Sequence, residues 1–363
     1  MGNINVAVTG YQGTGSGAVL DLLKEYEGIE VVPTIGRTYE HLPFYYKGGL
    51  FDLCTALTVA RNPISTDVAI NRFLESMMSL YKNRYIWMGN YKEICGEDFL
   101  RLNDSFVEKI CSPFNTLNHS HYVRTKFSLI RLLLQCLAKL VYGKPIVQPG
   151  IKTVVDNKSS YISLVSTDAL FEAAREYTKG YLDLVSKGCD ASIRVFDHLL
   201  LPQHIDVYNE CFTEDLKIIV LNRDIRDMYL INKYVYTQSK YGRFATMLLK
   251  KRVPYFPCTP KAFSEMWDKL IIPSFNNPNC LNLEFEDLIY NYEDTVRIIE
   301  DFIGIDSSAH VRKGRFFDPT RSINNTQLFL CSDDWAKEVS SFDEKWCYGY
   351  PFQRVPEKKL MMH

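Results

Sequence analysis

Apolar residues Ile4, Val6, Ala7 and Val8 form a short run that stops at Gly10, after which Ala18-Val19-Leu20 and Leu22-Leu23 recur at helical spacing. Residues 4–27 therefore predict a strand, a glycine-rich turn and a helix. Ile29 to Pro33 offers a second strand. This order begins a parallel sheet, because parallel neighbours need a crossover and the crossing helices cover the sheet faces. Residues 64–145 carry helical patterning without strand runs and predict a helical insertion. The alternation returns with a strand near Thr153-Val154-Val155 and helices across 167–187 and 203–212. Ile218-Ile219-Val220-Leu221 follows, and its unbroken apolar character predicts a central strand buried on both faces. Cys280-Leu281-Asn282-Leu283 adds another strand, and Asp294 to Ile303 a helix closed by Gly304. The predicted class is α/β, three layers around a central parallel sheet. One domain is expected over 1–335, with 336–363 as a C-terminal tail.

The composition narrows the partners. A chain of 363 residues with 46% hydrophobic content can bury one large core. Its formal net charge of −1 supplies no global field for nucleic acid or an anionic membrane, so any anion must be met by local cationic groups. Ten cysteines without a C-x-x-C pair predict reduced structural thiols and no metal site. No basic stretch followed by a long apolar run opens the chain, and Phe127 to Tyr142 is short for a bilayer and carries Arg131 and Lys139. The expectation is a cytoplasmic protein without a transmembrane segment.

Three segments concentrate chemistry. In Gly10-Tyr11-Gln12-Gly13-Thr14-Gly15-Ser16-Gly17, glycines let backbone N–H groups form a concave nest for an anion before a helix N-terminus. A tight strand–helix connection is the plainer alternative. The G-x-x-x-x-G spacing is half of a P-loop, but Ser16-Gly17 replaces Lys-Ser/Thr, which removes the phosphate-bridging cation and the magnesium hydroxyl of a nucleoside triphosphatase. The second segment, Arg223-Asp224-Ile225-Arg226-Asp227, leaves the strongest predicted strand. Ligands of open α/β sheets bind at that end, and arginines there can grip phosphate oxygens; a helix-start ion-pair cluster uses the same residues. In the third, Arg312-Lys313-Gly314-Arg315 puts positive charge beside a glycine, ahead of Phe316-Phe317-Asp318-Pro319-Thr320-Arg321-Ser322 and Asn324-Asn325. A solvated basic loop is the competing account.

Taken in order, these segments resemble the sulfotransferases. Gly13-Thr14-Gly15-Ser16 is similar to the family's 5′-phosphosulfate loop, with Gly13 at the usually basic position. The run from Arg223 to Leu230 resembles its 3′-phosphate motif, in which Arg223 matches the phosphate-binding arginine. The serine expected eight residues later falls on Ile231, next to Asn232. Phe285-Glu286-Asp287-Leu288 with Phe302-Ile303-Gly304, and the Arg312-Lys313-Gly314 and Phe317-Asp318-Pro319 elements, resemble the carboxy-terminal half of the family. The likeness covers about residues 4–35 and 150–330.

The resemblance implies a P-loop NTPase-like fold and in-line transfer of a sulfuryl group from 3′-phosphoadenosine 5′-phosphosulfate to a hydroxyl without a metal. It places the donor on Gly13, Thr14, Gly15, Ser16, Gly17, Arg223, Asn232, Arg312, Lys313 and Gly314. It also implies a proton acceptor shortly after the second strand, where Glu40 and His41 are both available, with Arg37 nearby for an anion. Lys158, in an element similar to the Lys-(Ser/Thr)-x-x-Tyr of glycan sulfotransferases, is the cation expected at the sulfuryl or bridging oxygen. A glycan hydroxyl of polysaccharide biosynthesis is the first acceptor expected, and a sterol or lipid alcohol the second. The alternatives are a P-loop small-molecule kinase and a catalytically silent binding protein of the same fold.

Overall fold

The computed structural model describes residues 3–33, 40–59, 62–84, 89–111, 125–126, 133, 136–137, 139–141, 143, 154–155, 161–213, 215–237, 257–275 and 277–357. Strands β1 (Ile4–Gly10), β2 (Ile29–Val32), β3 (Ile193–Asp197), β4 (Lys217–Asn222) and β5 (Cys280–Glu284) make one sheet in the order β2-β3-β1-β4-β5. All four pairings are parallel, with Val6 opposite Val195, Val8 opposite Ile219 and Leu221 opposite Leu283. The main helices are α1 (Gly17–Leu23), α2 (Leu50–Val59), α3 (Pro63–Lys82), α4 (Asp98–Ile110), α5 (Thr167–Val185), α6 (Ile225–Leu230), α7 (Pro260–Phe275), α8 (Tyr292–Ile303) and α9 (Asp333–Val339).

Alternation along the strands sends neighbouring side chains to opposite faces. Val6, Val8, Ile219 and Leu221 meet Leu20 of α1 and Ile299 of α8 on one side. Ala7, Phe196, Ile218 and Val220 meet α2 to α5 on the other. Helix starts and stops follow local chemistry. Asn62 accepts the Ser65 N–H with Pro63 in the first turn, Ser166 accepts that of Ala169, and Gly304 ends α8 at φ +78°.

Several sequence expectations change. Val154–Val155 does not join the main sheet; it pairs antiparallel with Thr125–Lys126 in a two-stranded ladder. The strand between β2 and β1 is Ile193–Asp197, whose Arg194 and Asp197 interrupt the apolar run that would have announced it. Arg194 is buried because Asn5 and Asp183 accept its N–H groups. Residues 203–212 form three short turns and not one helix. The segment read as a helical insertion supplies core: Phe73 of α3 and Phe106 of α4 pack edge-on or tilted against Tyr177 of α5.

Described residues of the segment expected as a tail also pack on the core. Val339 and Phe342 are buried with Ile225, Tyr229, Phe263 and Trp267, and the Tyr348 N–H donates to Asp224. Replacing Phe342 with alanine is expected to lower unfolding free energy by about 3–5 kcal/mol, the cost of emptying a buried aromatic position. Urea denaturation checks this; a loss well under 1 kcal/mol would make the segment an appendage.

Candidate active site at the carboxyl edge of the sheet

β3 and β4 flank β1 on opposite sides, which opens a crevice at their carboxyl ends where ligands of such sheets bind. The glycine-rich loop enters it from β1, His198 from β3, Arg223 from β4 and Phe285 from β5. Gly13 and Gly15 lie at φ +93° and +89°, where a side chain is strained, and a Cβ on Gly15 would press 3.0 Å from the Phe285 ring. Thr14 is fully buried and its hydroxyl donates to the Tyr11 carbonyl at 2.8 Å, so it closes the turn and lines neither cavity. Ser16 lines the crevice.

Arg223 is the cation of this loop. Its Nη1 donates to the Gly13 carbonyl at 3.0 Å and its Nη2 to the Asn325 carbonyl, while the guanidinium lies 4.8 Å from the centre of the Phe285 ring. Its Nε is buried without a hydrogen-bond partner. Behind it sit the buried carboxyls of Asp227 and Glu286. Burial pushes Asp227 up to about 7 and Glu286 well above the usual carboxylate range, and the Arg223 charge opposes both shifts. Arg226 is engaged elsewhere, for it forks onto Asp224, donates to the Tyr348 carbonyl and lies over the Phe329 ring. That is the ion-pair alternative weighed for this segment. Asn232 donates to the carbonyls of Met228 at 2.9 Å and Gln12 at 3.4 Å, and so holds the glycine loop to α6.

Two cavities meet at Gly15, Gly17 and Arg223. The larger, about 800 Å³, is lined by the loop, Glu40, Tyr45, His198, Leu201, Met228, Ile231, Asn232, Phe263, Met266 and Trp267. The smaller, about 460 Å³, is lined by Phe285, Phe316, Phe317, Asp318, Arg321, Ser322 and Asn325.

His198 sits at φ +48°, and its Nδ1 lies 2.6 Å from a carboxylate oxygen of the buried Asp197. Burial would lower the imidazole pKa, but the hydrogen bond and charge of Asp197, helped by Glu40 and the Gly10 backbone carbonyl, outweigh it and hold the pKa above its ordinary value. Glu40 lines the same cavity and accepts from the Tyr45 hydroxyl at 3.1 Å.

The structure separates the residues expected after β2. Glu40 reaches the larger cavity, whereas His41 is fully buried in the core, with its ring nitrogens 2.7 Å from the Tyr181 hydroxyl and 3.2 Å from the Val32 carbonyl. Burial takes its pKa down to about 4, despite the opposing Asp197 charge. An aromatic cage of Tyr181 and Phe196 leaves it no route to a ligand. Lys158 and Arg37 lie outside the described residues. Arg312, Lys313 and Gly314 line neither cavity: Arg312 donates to the Tyr26 carbonyl, Lys313 pairs with Glu293 at 2.8 Å, and the Gly314 N–H donates to Glu25. The arginines that do line the smaller cavity are Arg223 and Arg321. Sequence reasoning missed Asp197 and His198 because it placed no strand at 193–197. An acid–histidine pair at a strand's carboxyl end is the signal that would have found them.

The crevice of this α/β fold thus brings together a glycine loop, a partly unpaired buried arginine and a carboxylate-backed histidine, groups with the chemistry to hold an anion and to take a proton. The sulfotransferase-domain family model matches residues 5–345, and the chain belongs to the sulfotransferase family. Its chemistry is sulfuryl transfer. Among solved structures it is similar to the sulfotransferase domain of the Synechococcus PCC 7002 olefin synthase, at 13% identity over 94% of this chain and 90% of that one, with a TM-score of 0.36. Sulfotransferase STF9 from Mycobacterium avium is 12% identical over 86% of this chain and 66% of its own, with a TM-score of 0.33. Retinol dehydratase in complex with androsterone and inactive cofactor PAP is 15% identical over 94% and 71%, with a TM-score of 0.26. No curated protein sequence matches the chain. Among the described residues no helix is long and apolar enough to cross a membrane.

Gly15→Ala tests the loop. The left-handed backbone and the Phe285 contact together are expected to cost about 1–3 kcal/mol of stability, read by urea denaturation. A neutral effect would mean that the loop is free to move away from Phe285.

Proposed function

We propose that the protein moves a sulfuryl group from 3′-phosphoadenosine 5′-phosphosulfate to the hydroxyl of a neutral, largely apolar alcohol, with His198 as proton acceptor. The observation that carries this reading is the junction of the two cavities at the glycine loop and Arg223, with His198 in the larger one. The smaller cavity suits the nucleotide: Phe285, Phe316 and Phe317 give it apolar aromatic lining, with Phe316 the exposed ring among them, and Arg223 and Arg321 offer charge to a phosphate. The unpaired buried Nε of Arg223 and the open turn at Gly13 and Gly15 fit an anion.

The donor supplies a sulfur whose bond to the phosphate oxygen breaks as the acceptor oxygen attacks in line. Asp197 engages Nδ1 and fixes the His198 tautomer, so Nε2 is the nitrogen that takes the acceptor proton. Asp197 and Glu40 then stabilise the imidazolium. Arg223 and the loop N–H groups offset charge as it gathers on the departing phosphate. Lys158 is the further cation proposed for the transferred group, on its sequence pattern. Arg312 and Lys313 are the second cationic source proposed for the 3′-phosphate, on their sequence pattern alone, since they line neither cavity.

The acceptor wall favours an apolar alcohol over the glycan first expected. Leu201, Met228, Ile231, Phe263, Met266 and Trp267 line it, and Arg223 is the one lysine or arginine in the described lining. Such a surface offers burial to a flat apolar body and few partners for a polyhydroxylated or anionic chain.

Labelled donor incubated with a panel of sterols, long-chain alcohols, phenols and neutral and acidic glycans is expected to sulfate the apolar alcohols. Transfer to glycans alone would overturn the acceptor reading, and an Arg223→Ala variant with full activity would overturn the donor site. His198→Ala is expected to cut turnover about 10²–10⁴-fold, the span of general-base contributions. In the wild type kcat/KM should fall as pH drops through the His198 pKa and the imidazole is protonated. Asp197→Asn removes the group that raises that pKa, so this limb should move to lower pH and the maximal rate should fall. A pH profile unchanged in Asp197→Asn would remove His198 from the proton transfer.

A further inference from the structure

Glu25 lies just beyond α1, is completely buried, and spends both oxygens on one distant segment. Its Oε1 accepts the N–H groups of Phe316 at 2.7 Å and Phe317 at 2.9 Å. Its Oε2 accepts that of Gly314 at 3.0 Å and stands 2.9 Å from Nε2 of His310. The Glu25 backbone carbonyl takes the Arg312 N–H at 3.1 Å, and the His310 ring stacks on Tyr26 with centroids 4.2 Å apart. Four donors thus converge on one carboxylate from residues 310–317, and the segment they hold includes Phe316 and Phe317, two of the three phenylalanines that line the smaller cavity.

A carboxylate is suited to this because it is acceptor-only: a glutamine of the same shape would present an NH₂ to N–H groups and leave buried donors unpaired. The other end of α1 is the anion loop. A seven-residue helix is a rigid spacer of about 10 Å, so the position of Glu25 relative to Gly15 and Gly17 sets the gap across which a nucleotide is held.

We infer that Glu25 is a positioning residue for the nucleotide: it latches residues 310–317 to α1 and thereby sets the aromatic wall of the smaller cavity at its distance from the glycine loop. The inference rests on the proposed donor site. It assigns Glu25 an effect on nucleotide affinity and none on the chemical step, since no atom of it lines either cavity.

The test is Glu25→Gln, assayed for 3′-phosphoadenosine 5′-phosphate binding by calorimetry, for steady-state kinetics, and for amide hydrogen exchange without nucleotide. The expected result is at least tenfold weaker binding and a donor KM raised to match. At saturating donor kcat should stay within about threefold, and exchange should quicken at Gly314, Phe316 and Phe317 while β1 is unchanged. A folded variant that binds within twofold of wild type, or whose loop amides exchange at wild-type rates, overturns the inference; lowered thermal stability with unchanged affinity marks a merely structural residue. If the variant does not fold, His310→Phe keeps a ring on Tyr26 and removes one donor, and should weaken binding threefold or more; an unchanged Kd overturns the latch. Failure of the wild type to bind the nucleotide overturns the donor site instead, and the exchange measurement still reads the latch.

Discussion

The guanidinium of Arg223 ties together parts of the chain that are far apart in sequence. It joins the Gly13 carbonyl of the first loop to the Asn325 carbonyl of the last, over the ring of Phe285 from the edge strand. Both cavities have it as a wall, so its position decides whether they communicate. Burying a charge is costly unless it is hydrogen-bonded, and here the Gly13 and Asn325 carbonyls take the N–H groups of Arg223 while burial holds the nearby Asp227 and Glu286 toward their neutral forms. Those acids are themselves resisted by desolvation.

Buried carboxylates recur as organisers of this molecule. Glu25 collects loop N–H groups at one end of α1, Asp197 orients His198 at the end of β3, and Glu286 takes the Asp224 N–H at the start of α6. Each acts on a loop at the rim of the sheet, where regular backbone bonding has ended and donors lack partners. A carboxylate meets two or more such donors at once. In this way a rigid sheet passes its geometry on to the irregular segments around the cavities, through groups that do not themselves line them.

The legibility of the fold in the sequence followed local signals. The run Ile218 to Leu221 showed itself as a buried central strand, and Gly304 as a helix end, because apolar continuity and a left-handed position leave marks within a few residues. Ile193–Asp197 left no such mark: Arg194 is buried through partners at Asn5 and Asp183, which no local window contains. Missing that strand hid His198, and the search for a proton acceptor settled after β2, on a glutamate that reaches the cavity and a histidine that does not.

What the amino-acid order decided alone was the glycine loop, the arginine after the strongest strand and the aromatic run near the end, since positive backbone angles, fixed charge and ring faces are properties of residues. Tertiary structure decided which of these act together. Arg321 and not Lys313 lines the smaller cavity, Arg226 is consumed by Asp224, and His41 is sealed beside Tyr181 while His198 is left facing the crevice. The reason is physical: a side chain's charge and accessibility depend on the neighbours that folding brings within hydrogen-bonding distance, whether they come from the same turn or, as with His41 and Tyr181, from another part of the chain.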